Sequence, residues 1–211
     1  MTQHTASRTP QLSFEFFPAA TDAGMQKLLD AHQALRTLDP AYFSVTFGAG
    51  GSTQARTTEI VTALTQAGSQ VAPHLTCVGA TRESIRSLLD SYRDQGIRRL
   101  VALRGDLPSG MVGLGDFRHA IDLIRFIRDA YGDWFSLEVA AYPEMHPQAE
   151  SPDADLARFA EKAAAGAHSA ITQYFYNPNA YFDFVERAER ASVTIPIVPG
   201  IMPILNYTQL A

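Results

Sequence analysis

Seven short runs of strand-forming residues alternate with stretches of helical period, and that alternation restricts the chain to a parallel α/β architecture. The runs are "LSFEFF" from Leu12, "YFSVTF" from Tyr42, "QVAPHLTC" from Gln70, "RRLVALR" from Arg98, "FSLEVAAY" from Phe135, "SAITQYF" from Ser169 and "IPIVPG" from Ile195. Several are nearly continuous apolar segments, as parallel strands covered on both faces require. The intervening segments carry helix signals. In "TRESIRSLLDSYRDQG" Thr81 is placed to cap, Ile85, Leu88, Leu89 and Tyr92 share one face, and Gly96 is placed to stop the helix. "SPDADLARFAEKAAAG" offers Ser151 as cap and Pro152 in the first turn, an apolar face of Leu156, Phe159, Ala160 and Ala163, and Gly166 at its end. The strand–helix unit repeats about every 30 residues, the size of a βαβ unit.

Such a sheet is either doubly wound or closed into a barrel. A dinucleotide-binding doubly wound sheet would carry a glycine-rich fingerprint after its first strand; "PAATDAG" stands there instead. The barrel is favoured. Eight units need roughly 200–250 residues or more, whereas the 211 residues here supply seven strands and six complete helices and stop at "NYTQLA", where a seventh helix would begin. The expected fold is an α/β, (β/α)₈ TIM barrel truncated after the seventh strand. Residues 11–211 would form this incomplete barrel behind a disordered tail, residues 1–10. The first and seventh strands would be left as unpaired edges.

An apolar fraction of 46% and a charged fraction of 18% describe an ordinary globular chain. The net charge of −5 gives no reason to expect nucleic acid or an anionic membrane as partner. No apolar stretch is long enough to span a bilayer, and "MTQHTASRTPQ" lacks the apolar segment of a signal peptide. The single cysteine, Cys77, fits a reducing compartment, and the cytoplasm is expected.

In parallel α/β proteins chemistry sits beyond the carboxyl ends of the strands. The sequence puts Thr46, His74, Arg104, Asp106, Tyr142, Glu144, His146 and Gln173 there. Glu15 lies within the first strand between Phe14 and Phe16, so it is either inward-facing at a functional mouth or paired. Burial among aromatics would suit a carboxyl group to donate a proton. Plainer readings stand beside these: a salt-bridged Glu15, a satisfied core His74, and a simple turn at "GAGGS" from Gly48. Asp155, Arg158 and Lys162, at i, i+3 and i+7, could form a solvated helix face. No metal site is expected, because the His74/Cys77 and Glu144/His146 pairs lack partners at ligand spacing.

Eight stretches, in order, resemble the methylenetetrahydrofolate reductase family: "SFEFFP", "SVTFGAGGSTQART", "PHLTC", "ALRGDLP", "VAAYPEMHPQA", "ADLARFAEKAAAGA", "ITQYFYN" and "PGIMPI". Each is weak alone; together they are specific. The resemblance implies a flavoprotein barrel in which FAD, reduced by NADH or NADPH, passes a hydride to 5,10-methylenetetrahydrofolate to give 5-methyltetrahydrofolate, within one-carbon metabolism and methionine synthesis. Glu15 matches the family's acid, which protonates the departing nitrogen as the folate ring opens to an iminium cation. Asp106 matches an aspartate near flavin and pterin, where its charge would favour hydride donation and stabilise the iminium. Gln173 and Tyr207 match folate-contacting positions. Thr46, His74, Arg104, Gly105, Tyr142, His146, Ala149, Asp155, Arg158 and Lys162 match positions around FAD, which turns the polar stripe of the fifth helix into a site for the ADP end. A homo-oligomer is expected for the family.

Two readings of other classes remain open: a flavin- or folate-binding barrel without turnover, and an inactive fragment. A Schiff-base lyase is disfavoured because Lys27 and Lys162 both fall on expected helices rather than at strand ends.

Overall fold

The strand and helix signals are realised in chain order. The computed structural model describes residues 10–47, 54–106 and 115–204. The elements are β1 (Ser13–Phe16), α1 (Asp22–Leu35) with a 3₁₀ turn at Arg36–Leu38, β2 (Tyr42–Val45), α2 (Gln54–Gln66), β3 (Val71–Thr76), α3 (Arg82–Asp94), β4 (Arg99–Leu103), α4 (Ala120–Tyr131), β5 (Ser136–Ala141), α5 (Pro152–Ala164), β6 (Ser169–Thr172), α6 (Pro178–Arg190) and β7 (Ile197–Val198). The caps are the expected ones. Thr81 and Ser84 form a reciprocal capping box at 3.1 Å in each direction, and Gly96 sits at φ +76° just past α3. Ser151 accepts the Ala154 N–H at 3.2 Å, and Pro152 opens α5.

The sheet order is β1-β2-β3-β4-β5-β6-β7, and every neighbouring pair is parallel. Each strand therefore follows its predecessor by one helical crossover, the (β/α)₈ winding. Strands are shorter than their apolar runs. The first keeps only Ser13–Phe16 of "LSFEFF". The seventh keeps two residues, because Pro196 and Pro199 on either side have no N–H to give a ladder.

Side-chain alternation divides the interior in two. Phe14, Phe16, Phe43, Val45, Leu75, Leu100, Leu137 and Val139 point outward and pack beneath the helices in one continuous core. Tyr42, Ala72 and Val101 point inward and are joined by Leu103 and Ile171. The inward set also holds a polar network that the sequence reading missed. The Tyr42 hydroxyl donates to Glu138 at 2.7 Å, and Arg99 closes on the other carboxylate oxygen. Tyr42 is on β2 and Glu138 on β5, three strands away, a separation of roughly 14 Å in a flat sheet. Their contact requires the sheet to curl into a barrel wall.

No helix among the described residues is long and apolar enough to cross a membrane. The expected seventh helix falls outside the described residues, as does the expected tail apart from Pro10.

Two outcomes follow for stability. Glu138 is 1% exposed, so Glu138→Ala, which strands Arg99 and the Tyr42 hydroxyl, is expected to cost about 3 kcal/mol in urea unfolding. His32 of α1 lies edge-on to Phe43 at 4.6 Å and meets Ser69 Oγ at 2.8 Å. Burial, helped by the Arg36 charge, lowers its pKa from 6.5. The unfolded chain then binds the proton more readily, so the His32 contribution is intact above the unfolded value and is lost as pH falls below it. The urea midpoint should drop as pH falls through about 6.5, and the drop should shrink in His32→Gln.

Candidate active site

The carboxyl ends of β4 and β5 and the inner face of α5 enclose a cleft of about 280 Å³. At the end of β4 the backbone is pinned first. The Arg104 carbonyl accepts N–H bonds from Cys77 at 3.1 Å and Val78 at 2.8 Å. Gly105 then turns the chain at φ +83°, where a Cβ would stand 2.9 Å from Thr76 Cβ and 3.0 Å from Val78 Cγ1. Only glycine meets both demands. The Gly105 position is thus a backbone requirement that delivers Arg104 to the cleft and leaves Asp106 exposed on the rim.

The segment between β5 and α5 is wired to itself. Asp155 accepts the His146 N–H at 2.8 Å, His146 Nδ1 accepts the Gln148 N–H at 3.0 Å, and the His146 carbonyl accepts the Ala149 N–H at 2.9 Å. The His146 ring meets Tyr142 edge-on at 4.5 Å. Met145 takes φ +76°, an unusual conformation for a residue with a side chain, at the bend of this loop.

Seven residues singled out in the sequence line the cleft together: Arg104, Tyr142, His146, Ala149, Asp155, Arg158 and Lys162. The α5 stripe borders the cleft: Arg158 stays exposed to solvent, as a solvated face would have it, whereas Lys162 turns inward. Lys162 reaches from the helix to the strand ends, where its Nζ donates to the Ala140 carbonyl at 2.6 Å. A helical position therefore does not keep a lysine away from the rim, contrary to the argument that set Lys162 aside. His119, Ala120, Ile121, Gln148 and Glu161 complete the walls and were not anticipated. Glu161 lies three residues after Arg158 on the same helix, so the stripe itself could have pointed to it. His119 stands at the start of α4, fixed when Asp122 accepts its backbone N–H at 2.9 Å; no apolar period marks that position.

The charges here form no contact ion pairs with one another among the described residues: no cation of the cleft lies within ion-pair distance of Asp155 or Glu161, and the ion pairs lie elsewhere. Burial pushes Lys162 down to about 8, against the opposing charge of Asp155. Burial likewise raises Tyr142, with the charges of Asp106 and Asp155 adding to the effect. An enclosed ammonium held only by a carbonyl is costly unless an anion joins it. Two guanidinium groups and an ammonium around one cleft match the donor set a diphosphate needs.

Glu15 and His74 lie apart from this cleft, on the inner face of the barrel. Glu15 Oε2 is 3.2 Å from His74 Nε2, reached across β2, and the two side chains are 42% and 10% exposed. His74 Nε2 has no well-aligned hydrogen-bond partner among the described residues, so this carboxylate is its polar neighbour. One expectation is corrected. Phe14 and Phe16 do not surround Glu15, because neighbours in a strand point to opposite faces. Both rings pack outward on Phe43, and Glu15 faces the open mouth and His74.

Thr46 follows β2, donating its N–H to the Phe16 carbonyl and accepting from Thr57 Oγ1, both at 3.0 Å. Gln173 follows β6 and lines a separate groove of about 120 Å³ with Met145, Tyr174 and Phe175; Tyr142 is shared between groove and cleft. Its side-chain oxygen accepts the Tyr174 N–H at 3.2 Å. Tyr207 and the "GAGGS" turn lie outside the described residues. Cys77 is buried beneath the rim, its thiol pushed up to about 12 by burial, which makes it a core residue.

The fold is shared by solved structures of low identity. A protein from Clostridium thermocellum, described as binding two copies of 5-methyl-5,6,7,8-tetrahydrofolic acid, aligns with TM-score 0.61 and 15% identity over 90% of this chain and 65% of that one. The tryptophan synthase α-subunit of Pyrococcus furiosus aligns with TM-score 0.58 and 14% identity over 90% and 78%. Sequence relatives are much nearer. The 5,10-methylenetetrahydrofolate reductases of Salmonella typhimurium and Escherichia coli are each 41% identical over 199 residues, covering 94% of this chain. The chain spans 66% of the length of these two enzymes. The methylenetetrahydrofolate reductase (NADH) 1 of Arabidopsis thaliana is 39% identical over 209 residues, 92% of this chain and 35% of that protein. The family profile described as methylenetetrahydrofolate reductase matches residues 1–211, and with these relatives it establishes that the chain belongs to the methylenetetrahydrofolate reductase family.

Proposed function

We propose that the chain forms residues 11–211 of the catalytic barrel of a cytoplasmic, FAD-dependent enzyme that reduces 5,10-methylenetetrahydrofolate to 5-methyltetrahydrofolate with NADH or NADPH. The observation that carries this reading is the rim cleft whose cations form no contact ion pair among the described residues, in a chain of this family. FAD, when bound, would supply hydride-transfer chemistry between the nicotinamide and the folate. Arg104, Arg158 and Lys162 are suited to hold its diphosphate, with Asp155, His146, Ala149 and Tyr142 shaping the walls. Thr46, His74, Gly105 and Asp106 continue along the rim toward the barrel mouth.

The reaction asks this chain for a proton and for a negative charge. Opening the five-membered ring of the folate leaves a 5-iminium cation, and the departing nitrogen must be protonated as its bond breaks. Glu15, inside the mouth and beside His74, is assigned to that proton. Asp106, exposed on the same rim, stabilises the cation by its charge, and the Gln173 amide is assigned to the pterin. Tyr207 is assigned, from the resemblance, to an aromatic contact with folate or nicotinamide.

The purified protein tests the reading directly. It should carry flavin absorbance that bleaches with NADH or NADPH and returns on adding methylenetetrahydrofolate. Flavin that is not bleached would leave a binding barrel without turnover, and a protein that takes up no FAD would contradict the assignment. Glu15→Gln should slow folate-dependent reoxidation by about 10²–10⁴-fold, the usual worth of a positioned acid, while reduction by the nicotinamide is unchanged in stopped flow. The depressed Lys162 sets a further pH dependence. Its ammonium is lost as pH rises through about 8, so the affinity of the apoprotein for FAD should fall across that range. Lys162→Met should remove the fall and bind about tenfold more weakly at neutral pH.

A further inference from the structure

Arg104 is held by neutral acceptors, where several arginines of this protein are held by carboxylates. Arg56, Arg99, Arg187 and Arg190 are each paired with a carboxylate. Among the described residues, the Arg104 guanidinium has only neutral acceptors: the Gly105 carbonyl, 3.2 Å from Nε, and the side-chain oxygen of Gln148, which binds a terminal nitrogen. Its backbone is pinned to the end of β3 by the Cys77 and Val78 N–H groups. Gln148 therefore fixes the far end of a side chain whose near end is already held. Gln148 is fixed in turn, since its N–H donates to His146 Nδ1 at 3.0 Å and His146 is tied to Asp155 of α5. The result is a continuous link from α5 through the β5–α5 segment to the end of β4, with both Arg104 and Gln148 on the cleft wall.

We propose that Gln148 is a positioning residue that clamps the Arg104 guanidinium over the cleft without cancelling its charge, so that the charge is available to an anionic ligand. Resting on the flavin reading, the ligand group is the diphosphate of FAD. An amide is suited to this task. A carboxylate at the same place would hold the guanidinium equally well but neutralise it, and an apolar residue would leave a long side chain free to swing, with the entropy of ordering it charged to binding.

The test is a double-mutant cycle on FAD affinity, followed by flavin fluorescence with the apoprotein. Gln148→Ala should weaken binding about fivefold, the range of a typical net hydrogen bond. Gln148→Glu should weaken it more, and that further loss should shrink at high salt as the charges are screened. In an Arg104→Ala background, Gln148→Ala should have no appreciable further effect, because the amide acts through Arg104, whereas Gln148→Glu keeps only the direct, salt-screened repulsion of its charge. A merely structural loop contact would instead lower affinity equally in both backgrounds, and that result would overturn the proposal. So would wild-type affinity in both Gln148 variants. Should the wild-type chain take up no FAD at all, the flavin reading fails by itself. The clamp is then judged from the Nε–H resonance of Arg104 in ¹⁵N NMR. A sharp, dispersed signal that broadens toward the free-arginine position in Gln148→Ala supports the clamp; a signal unchanged by the substitution contradicts it.

Discussion

The hydrogen bond from Tyr42 to Glu138 spans three strands, and the site depends on the curvature that makes this contact possible. In a flat parallel sheet the ends of β1 and β6 would be far apart, and residues from separate strand ends would form a row rather than a mouth. Curling turns alternate side chains inward and the strand ends toward one another. The inward face near the start of the strands is filled by Tyr42, Arg99 and Glu138, which satisfy one another, Tyr42 and Glu138 buried and Arg99 partly open to solvent. Nearer the other end the same face carries Glu15 and His74. Polar groups therefore occupy both levels of the interior, with different consequences. The lower set is closed and consumes its own charge; the upper pair is open to whatever enters the mouth.

The rim cleft carries the same distinction further. Arg104 and Lys162 are positioned by carbonyls, an amide and a backbone turn rather than by carboxylates. Gly105 places Arg104, and Ala140 receives Lys162. Asp155 accepts the His146 N–H and so fixes the loop, while its charge acts on Lys162 without a contact ion pair. A site organised in this way stays positive inside a protein whose net charge is −5. It therefore attracts an anion locally without making the whole molecule a binder of polyanions.

Much of the fold could be read from local signals because each signal has a short-range cause. Thr81, Gly96, Ser151 and Pro152 mark helix ends through backbone hydrogen bonds within a few residues. The strand runs mark themselves by being apolar on both faces. What escaped was long-range. Nothing near Glu138 in sequence announces that it will meet Tyr42 and Arg99, since those contacts exist only once the sheet curls. The aromatic neighbours of Glu15 misled for a related reason: adjacency in a strand is opposition in space. At the site, the family resemblance drew in Ala149, Arg158 and Lys162, whose positions on a loop and a helix give little away. It did not draw in Gln148 or His119, because a glutamine in a polar loop and a histidine before a helix look ordinary until their partners are known. Lys162 is the instructive case, a helical lysine whose length carries its charge back to the strand ends.

The cleft between β4, β5 and α5 is the proposed seat of the cofactor's negative charge. The most direct measurement is a crystal structure of this chain grown with FAD. It should place the diphosphate among Arg104, Arg158 and Lys162, with the Lys162 ammonium turned from the Ala140 carbonyl toward a phosphate oxygen. A diphosphate found instead in the groove beside Gln173, or a cleft left to solvent while flavin is bound elsewhere on the barrel, would contradict it.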